Sequence, residues 1–437
     1  MFEFGSDAVP AVDDVRGVTA ALSRIDGGSD DVERIDQLRA LEELKCSAEA
    51  AQARLTAAFD RSQREAEARA GVPEERQGRA VAAQVALARR ESPHRGRQHV
   101  GLALVLDEMP CARDAFRAGR ITEWRATLLA RETACLSRDD RAEVDRRVAG
   151  APDVLEAMGD GEIVAAAREA AYELDPVSFV ERRRRAEVDR HVSLRPAPDV
   201  MSQLSSLLPV KGGVAVWAVL SREADRLRAA GDERSRGQIM ADTLVHRVLN
   251  PGEGERAVPL MINVVVPDSV LLGDDNAFGW AEHYGPVPGD LLREWIAANA
   301  EQGVDQWVRR LYASPQTGEL VSMDSKARRF EGALADYLRL RDQKCRTKYC
   351  GAPVRHLDHA EAHADGGETS AANGQALCEF CNYAKQAPGW SARPRPGPRH
   401  TIETVTPTGH RYTTTAPRFS VAERGLLIRL DGYLLSA

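Results

Sequence analysis

The chain has 437 residues, enough for two or three domains and a large buried core. Its 43% hydrophobic and 29% charged residues are those of a globular protein, and no apolar run approaches the ~18–20 residues of a membrane-spanning helix. The net charge of −7 is not that of a general polyanion binder, but it is uneven: from Leu338 to Arg411 there are 11 Lys/Arg against 7 Asp/Glu. Such a basic stretch on an acidic body is either ordinary surface variation or a local polyanion site, since charges act over about a Debye length. The acidic segment from Met1 to Val15 lacks the basic-then-apolar order of a secretory leader, so a cytoplasmic location is expected.

Residues 1–28 are rich in Gly and Asp and are expected to be poorly ordered. Asp30 with Glu33 can close a capping box. Val32, Ile35, Leu38, Leu41, Leu44, Ala48 and Leu55 then recur at helical spacing until Gly71-Val72-Pro73 stops the pattern. So narrow a stripe suits either an intramolecular core or a dimerising coiled coil, which makes a homodimer through this helix one expected partner. Further helices are predicted over 75–91, 97–108, 122–135, 138–148, 161–173 and 176–190, so that 29–190 reads as a helical domain. Arg182 to Arg185 wrap all sides of the last helix among Glu181, Glu187 and Asp189, as a solvated, ion-paired surface does.

The pattern changes at His191, and 191–329 reads as a mixed α/β region. Short strands are predicted over 191–195 and 201–208, helices over 213–230 and 234–249, and a buried strand where Val258, Leu260, Ile262, Val264 and Val266 alternate. A helix from Asp290 to Asn299 follows, then strands over 306–313 and 319–323 about a turn at Ser314-Pro315-Gln316-Thr317-Gly318. A helix from Phe330 to Arg341 opens a compact module over 330–390. The last segment, 391–437, holds a hairpin from Thr401 to Thr415 that turns at Pro407-Thr408-Gly409. The predicted class is α+β, predominantly helical.

Cys46, Cys111 and Cys135 stand singly in helical sequence and read as small apolar residues. Cys345-x4-Cys350 and Cys378-x2-Cys381 are different: two close pairs within 37 residues. Four thiolates on two short turns can close around one Zn²⁺ and so staple a module with little core of its own. Redox chemistry at Cys378-x-x-Cys381 is the lesser alternative, because no thioredoxin-like βαβ pattern surrounds it.

Interleaved with the cysteines are Asp358-His359, Asn373 fourteen residues after the His, and Asn382 nine residues further. Phosphodiester hydrolysis needs an activated water and a cation at the scissile phosphate and leaving oxygen; an imidazole near neutral pKa serves the first need. The carboxylate of Asp358 and the amide oxygen of Asn382 are hard ligands suited to Mg²⁺ or Mn²⁺.

The order Asp-His, Gly366-Gly367, Asn373, Cys-x-x-Cys-Asn and Lys385 resembles the HNH nuclease motif in its zinc-stabilised, ββα-metal form. The resemblance implies a DNA endonuclease in which His359 is the general base, with Asp358 and Asn382 holding a catalytic divalent ion. It further implies that Asn373 braces the loop that orients His359, that Gly366-Gly367 makes a tight turn and that Lys385 touches a phosphate. Arg355, Arg346 and Lys348 complete the candidate nucleic-acid contacts. Asn382 stands where many members have His, and the first cysteine pair has four intervening residues instead of two. Weaker cues elsewhere are G-R-I-T-E-W (119–124), D-E-R-S-R-G-Q-I-M-A-D-T-L (232–244), Y-G-P-V-P (284–288), S-P-Q-T-G (314–318) and R-D-x-x-C (341–345). In that order they resemble the actinobacterial HNH-endonuclease family with a long N-terminal domain of unknown function. The rival reading is a zinc-stabilised nucleic-acid- or protein-binding module that does not cleave.

Neighbouring residues are left with two readings each. His356 is either a plain strand residue or a supporting or phosphate-contacting group, and His363 reads as non-catalytic. His400 and His410, with Arg393, Arg395, Arg399 and Arg411, belong either to a DNA-contacting hairpin or to a solvated one. Trp390 is either a packing plug or a base-stacking residue.

Overall fold

The computed structural model describes residues 12–25, 30–249, 260–267, 269–270, 275–281, 284–301, 306–312, 330–418 and 426–434. No helix among them is long and apolar enough to cross a membrane. The protein is α+β and mainly helical, and it divides into two compact units: Met1–Ala58 with Gly101–Pro176, and Phe59–Val100 with Val177–Ala437. These units cut across the segments read from sequence, because residues 59–100 belong with the C-terminal half of the chain.

The first unit is all helical. Within the stretch expected to be poorly ordered, Val12–Leu22 form α1, with Asp13 and Asp14 at its positive end and an Arg16–Asp13 ion pair of 3.0 Å. Asp30 opens α2 (Asp31–Arg69) as predicted, its Oδ1 accepting from the Glu33 backbone N–H at 2.9 Å. The buried side of α2 is not the predicted stripe. Val32, Ile35, Leu38, Leu44 and Leu55 are exposed, and Cys46 and Ala50 carry the packing. The cause is close approach: a Cβ on Gly119 would lie 2.9 Å from the Glu43 carbonyl oxygen, and Ser47 Oγ donates to Arg117 O at 3.0 Å. Branched side chains would not fit in that gap.

After α3 (Val81–Arg89) and α4 (Pro93–Leu106), five helices close the first core: α5 (Pro110–Arg117), α6 (Glu123–Glu132), α7 (Arg138–Ala149), α8 (Pro152–Ala157) and α9 (Asp160–Leu174). They enclose Met109, Phe116, Ile121, Leu129, Leu155 and Ile163, with Cys111 and Cys135 packed at the margin. Helices α5 and α8 are not among the helices predicted from sequence; Pro110 and Pro152 open them, each in the first turn, where a missing N–H costs nothing. Buried Asp145 caps α5 from α7, accepting from the backbone N–H groups of Cys111 at 2.7 Å and Ala112 at 2.9 Å. Burial pushes the Asp145 carboxyl above its ordinary range, and these two donors pull the other way.

In the second unit α3 is buried from Val81 through Leu87, and α4 crosses it so closely that a Cβ on Gly96 would lie 2.2 Å from Ala82 O. Helix α10 (Pro176–Val188), the hairpin β1 (His191–Pro196)–β2 (Ser202–Leu207), α11 (Val210–Ala229) and α12 (Arg236–Leu249) follow. A five-stranded antiparallel sheet then forms from β3 (Leu260–Pro267), β4 (Gly279–Ala281), β5 (Gly285–Val287), β6 (Gln306–Tyr312) and the late strand β12 (Leu426–Leu434), in the order β5-β4-β3-β12-β6. The alternation read over 258–266 is β3, whose Val264 and Val266 pack with Val287 and Leu292 of α13 (Gly289–Glu301). The strand expected over 319–323 lies outside the described residues. The remaining elements, α14 (Gly332–Asp342), β7 (His356–His359), β8 (Gly374–Leu377), α15 (Glu379–Lys385) and a sheet of β9 (Ser391–Arg395), β10 (Thr401–Val405) and β11 (Arg411–Thr415), carry the candidate site. The order β11-β10-β9 puts β9 at an edge, which is where a strand containing Pro394 can pair.

Candidate functional site

Strands β7 and β8 are antiparallel, with Asp358 opposite Gln375 and His359 opposite Gly374, and α15 follows β8 through Cys378. This is a ββα unit with Asp358 and His359 as the last two residues of its first strand. Strand alternation turns Leu357 into the small core of Leu334, Leu338 and Ala371, and sets the His359 ring 4.6 Å from that of Phe330. His359 Nε2 shares a 2.8 Å hydrogen bond with Thr369 Oγ1, and the His363 ring stands 5.5 Å away, edge-on. His363, expected to be non-catalytic, therefore borders the candidate base. Nothing in the motif spacing marked Thr369 or Phe330, since both act from outside the motif residues.

The loop between the strands is closed by Asn373. Its Oδ1 accepts from the Glu361 backbone N–H at 2.9 Å, while Nδ2 donates to Glu361 O at 3.0 Å and Glu368 O at 2.9 Å. A Cβ on Gly367 would lie 2.0 Å from Glu361 O and 2.8 Å from Asn373 Nδ2, so only glycine fits beside the brace. The next turn is fixed from α14. Arg341, wholly buried, donates from Nη1 to Ala371 O at 2.5 Å and from Nη2 to Gly374 O at 2.7 Å. Asp342 neutralises it through bonds of 2.8 and 3.0 Å and itself accepts from the Ala376 backbone N–H at 2.8 Å. The R-D pair of the sequence is thus the scaffold of the second strand.

On the other side of β7, Asp358 Oδ2 lies 2.5 Å from Lys385 Nζ, which also donates to the His359 and Ala360 carbonyl oxygens. Lys385, expected to meet a phosphate, is instead half-buried and tied to the strand end. Asn382 lies one helical turn before it on α15, and its Oδ1 is buried without a hydrogen-bond partner among the described residues. A buried acceptor of this kind, one helical turn from the lysine that pairs with Asp358, fits a hard divalent cation such as Mg²⁺ or Mn²⁺. His356 faces the same helix, its ring 6.1 Å from that of Tyr383.

The four cysteines converge as their spacing predicted. All are buried, their Sγ atoms lie within 4.8 Å of one another, and Cys350 and Cys378 stand 3.7 Å apart. Tetrahedral zinc with Zn–S of about 2.3 Å requires S···S edges of about 3.8 Å, so the donor set fits. The first knuckle turns through Tyr349 and Gly351, at φ of 64° and 63°. In the second, Cys378 caps α15, accepting from the Cys381 backbone N–H at 3.4 Å. Hydrogen bonds from Cys345, Cys350 and Cys381 hold the Cys378 thiol far below its ordinary value. Cys350 and Cys381 are pushed far up, with Cys345 the largest influence on each. One thiolate resists the next, so four can coexist only around a cation.

The expected nucleic-acid contacts divide. Arg355 and Lys348 are exposed, Lys348 lying 5.3 Å over the Tyr349 ring. Arg346 is the correction: it is 5% exposed, and its guanidinium donates to His400 O at 3.2 Å and Thr414 O at 2.9 Å. It fastens the three-stranded sheet to the cysteine module and is not presented to a ligand. Trp390 is part-buried just before β9.

No curated protein and no solved structure matches the chain. Two family models do. The HNH endonuclease model matches residues 345–387, which begins at the first zinc-type cysteine and ends just past Lys385. The model described as a domain of unknown function, DUF222, matches residues 39–342, more than half of the chain. The protein therefore belongs to the DUF222 family and carries an HNH endonuclease domain directly behind the family region.

Proposed function

We propose that the protein is a metal-dependent endonuclease that hydrolyses DNA phosphodiester bonds. The observation that carries this reading is the pairing of His359, held by Thr369, with the hard oxygens of Asp358 and Asn382 on one ββα unit. His359, its Nε2 hydrogen-bonded to the Thr369 hydroxyl, would take a proton from the attacking water. Asp358 and Asn382 would hold Mg²⁺ or Mn²⁺, which supplies charge neutralisation at the scissile phosphate and the leaving oxygen. Lys385 adds positive charge at the same edge, and Asn373 keeps the loop from collapsing onto the base. Structural Zn²⁺ at Cys345, Cys350, Cys378 and Cys381 fixes the helix that carries Asn382 and Lys385.

The test is nicking of supercoiled plasmid by the zinc-loaded protein in Mg²⁺ or Mn²⁺, beside an EDTA control and His359→Ala. The reading expects divalent-dependent nicking that the variant loses. A folded, zinc-replete protein that nicks in neither metal would return the module to the class of binding domains.

A further inference from the structure

The sheet that follows the nuclease unit has two contrasting faces. On its inner face Ala392 and Ile402 pack on Ala360, the residue directly after His359. Its outer face is read from the register. Glu403 stands at the centre, opposite Arg393 on β9, with Arg395 and Arg411 on the two diagonals. All three arginines converge on that one carboxylate. Arg393 Nη2 donates to Oε1 at 3.1 Å, Arg411 Nη1 to Oε1 at 2.9 Å and Arg395 Nη2 to Oε2 at 2.6 Å. The Glu403 side chain is only 9% exposed, whereas those of the arginines are 54%, 41% and 59% exposed. The hydrogen bonds of Arg395 and Arg393, with the charge of Arg411 beside them, hold the Glu403 carboxyl at about 2, so it is ionised at neutral pH.

We infer that this face is a binding site for the sugar–phosphate backbone of duplex DNA flanking the scissile bond. The arrangement separates two tasks. One sunken carboxylate fixes three guanidiniums and removes their freedom in advance, while three charges against one leave a net excess of two at the surface. Exposed Ser391, Thr413 and Thr415 share the face, and Glu403 is the only carboxylate in the three strands. Guanidiniums with hydroxyls and no exposed acid are the donor set that reads phosphates without reading bases. The sheet is also rigidly referenced to the chemistry, through Ala360 on one side and through Arg346 on the Thr414 and His400 carbonyls on the other. A duplex strand lying on it is therefore held at a fixed offset from His359.

The inference rests on the proposed reading only in taking the polyanion to be DNA. It is tested on the full chain in a His359→Ala background, without added divalent ion. The measurement is fluorescence anisotropy of a labelled mixed-sequence duplex between about 50 and 200 mM salt. Exchanging Arg393, Arg395 and Arg411 together for Gln should weaken binding and make the slope of log Kobs against log salt shallower by about 2. Glu403→Gln keeps an acceptor for the guanidiniums and removes one negative charge, so binding should tighten and the slope steepen by about 1. Unfolding cannot mimic this second change. A folded triple variant with the parental slope, a Glu403→Gln variant with no tighter binding, or a parent protein that does not bind duplex would each overturn the site. Slopes that shift as expected, when the protein with His359 intact never nicks plasmid, would sink the hydrolysis reading and leave the site standing; nicking by the protein with His359 intact, with unchanged slopes, does the reverse.

Discussion

At the scale of single residues the His359 imidazole is held by a ring on one side, a ring edge on another and the Thr369 hydroxyl at Nε2. If His359 is the base, His359→Ala should cost at least about 10²-fold in nicking rate while zinc content stays whole. Thr369→Val removes only the orienting hydrogen bond. A smaller loss is expected, together with a displaced acid limb in the rate–pH profile, which a merely structural threonine would not move. Arg341 and Asp342 make a different demand. Their pair is buried, so breaking it by Arg341→Met leaves the Asp342 side chain with only Arg346, at 3.8 Å, as counter-charge and should destabilise the module by about 3 kcal/mol in urea unfolding. His400 gives a pH signature. Burial, reinforced by the charge of Arg341, depresses its folded pKa to about 4, from an ordinary 6.5. The unfolded chain therefore takes up the proton first, and the stability that neutral His400 contributes is complete above pH 6.5. That stability, at most about 3 kcal/mol, is lost as pH falls from there towards 4. Unfolding midpoints across that window, compared with those of His400→Gln, check the sign.

At the scale of elements, the ββα unit was legible because its chemistry sits in runs of adjacent residues: Cys-x4-Cys, Asp-His and Cys-x-x-Cys-Asn fix their own geometry within one turn or strand end. What stayed hidden was set by partners distant in sequence. Arg346 lies between two knuckle residues and looks like a surface base, but His400, just before β10, and Thr414 of β11 close over it 54 and 68 residues later. The stripe on α2 had the right period and the wrong face, because close approach favoured small residues over leucines. The late strand β12 pairs with β3 and β6 across most of the second half of the chain, and no local pattern announces that pairing. Two predictions belong here. Cys378→Ser removes a zinc ligand and the α15 cap together, and should expose 330–418 to proteolysis with loss of bound zinc; a compact, zinc-free variant would refute the staple. Asp145→Ala leaves two buried backbone N–H groups at α5 without acceptors and should cost about 1–3 kcal/mol in thermal unfolding.

At the scale of the whole molecule, the fold boundary and the family boundary do not coincide. The DUF222 match ends at Asp342, yet the unit that contains the nuclease module also includes residues 59–100 from deep within the family region. Within that unit, Arg97 of α4 lies 5.0 Å over the ring of Phe380 on the nuclease helix, and Thr408 at the hairpin turn donates to Gln84 Oε1 of α3 at 3.2 Å. The module thus has part of its support built in by a segment that motif reading assigns elsewhere.

That support has a consequence for synthesis. Gln84 and Thr408 are 324 residues apart, so at ribosomal speeds of roughly 5–20 residues per second α3 waits some tens of seconds for the hairpin that meets it. During that interval a mostly apolar helix, with Gln84 among its buried residues, has no hairpin against it, so the half-made chain is expected to need protection from aggregation. A fragment cut at the family boundary and expressed from Cys345 onward would lack the same partner from the opposite side.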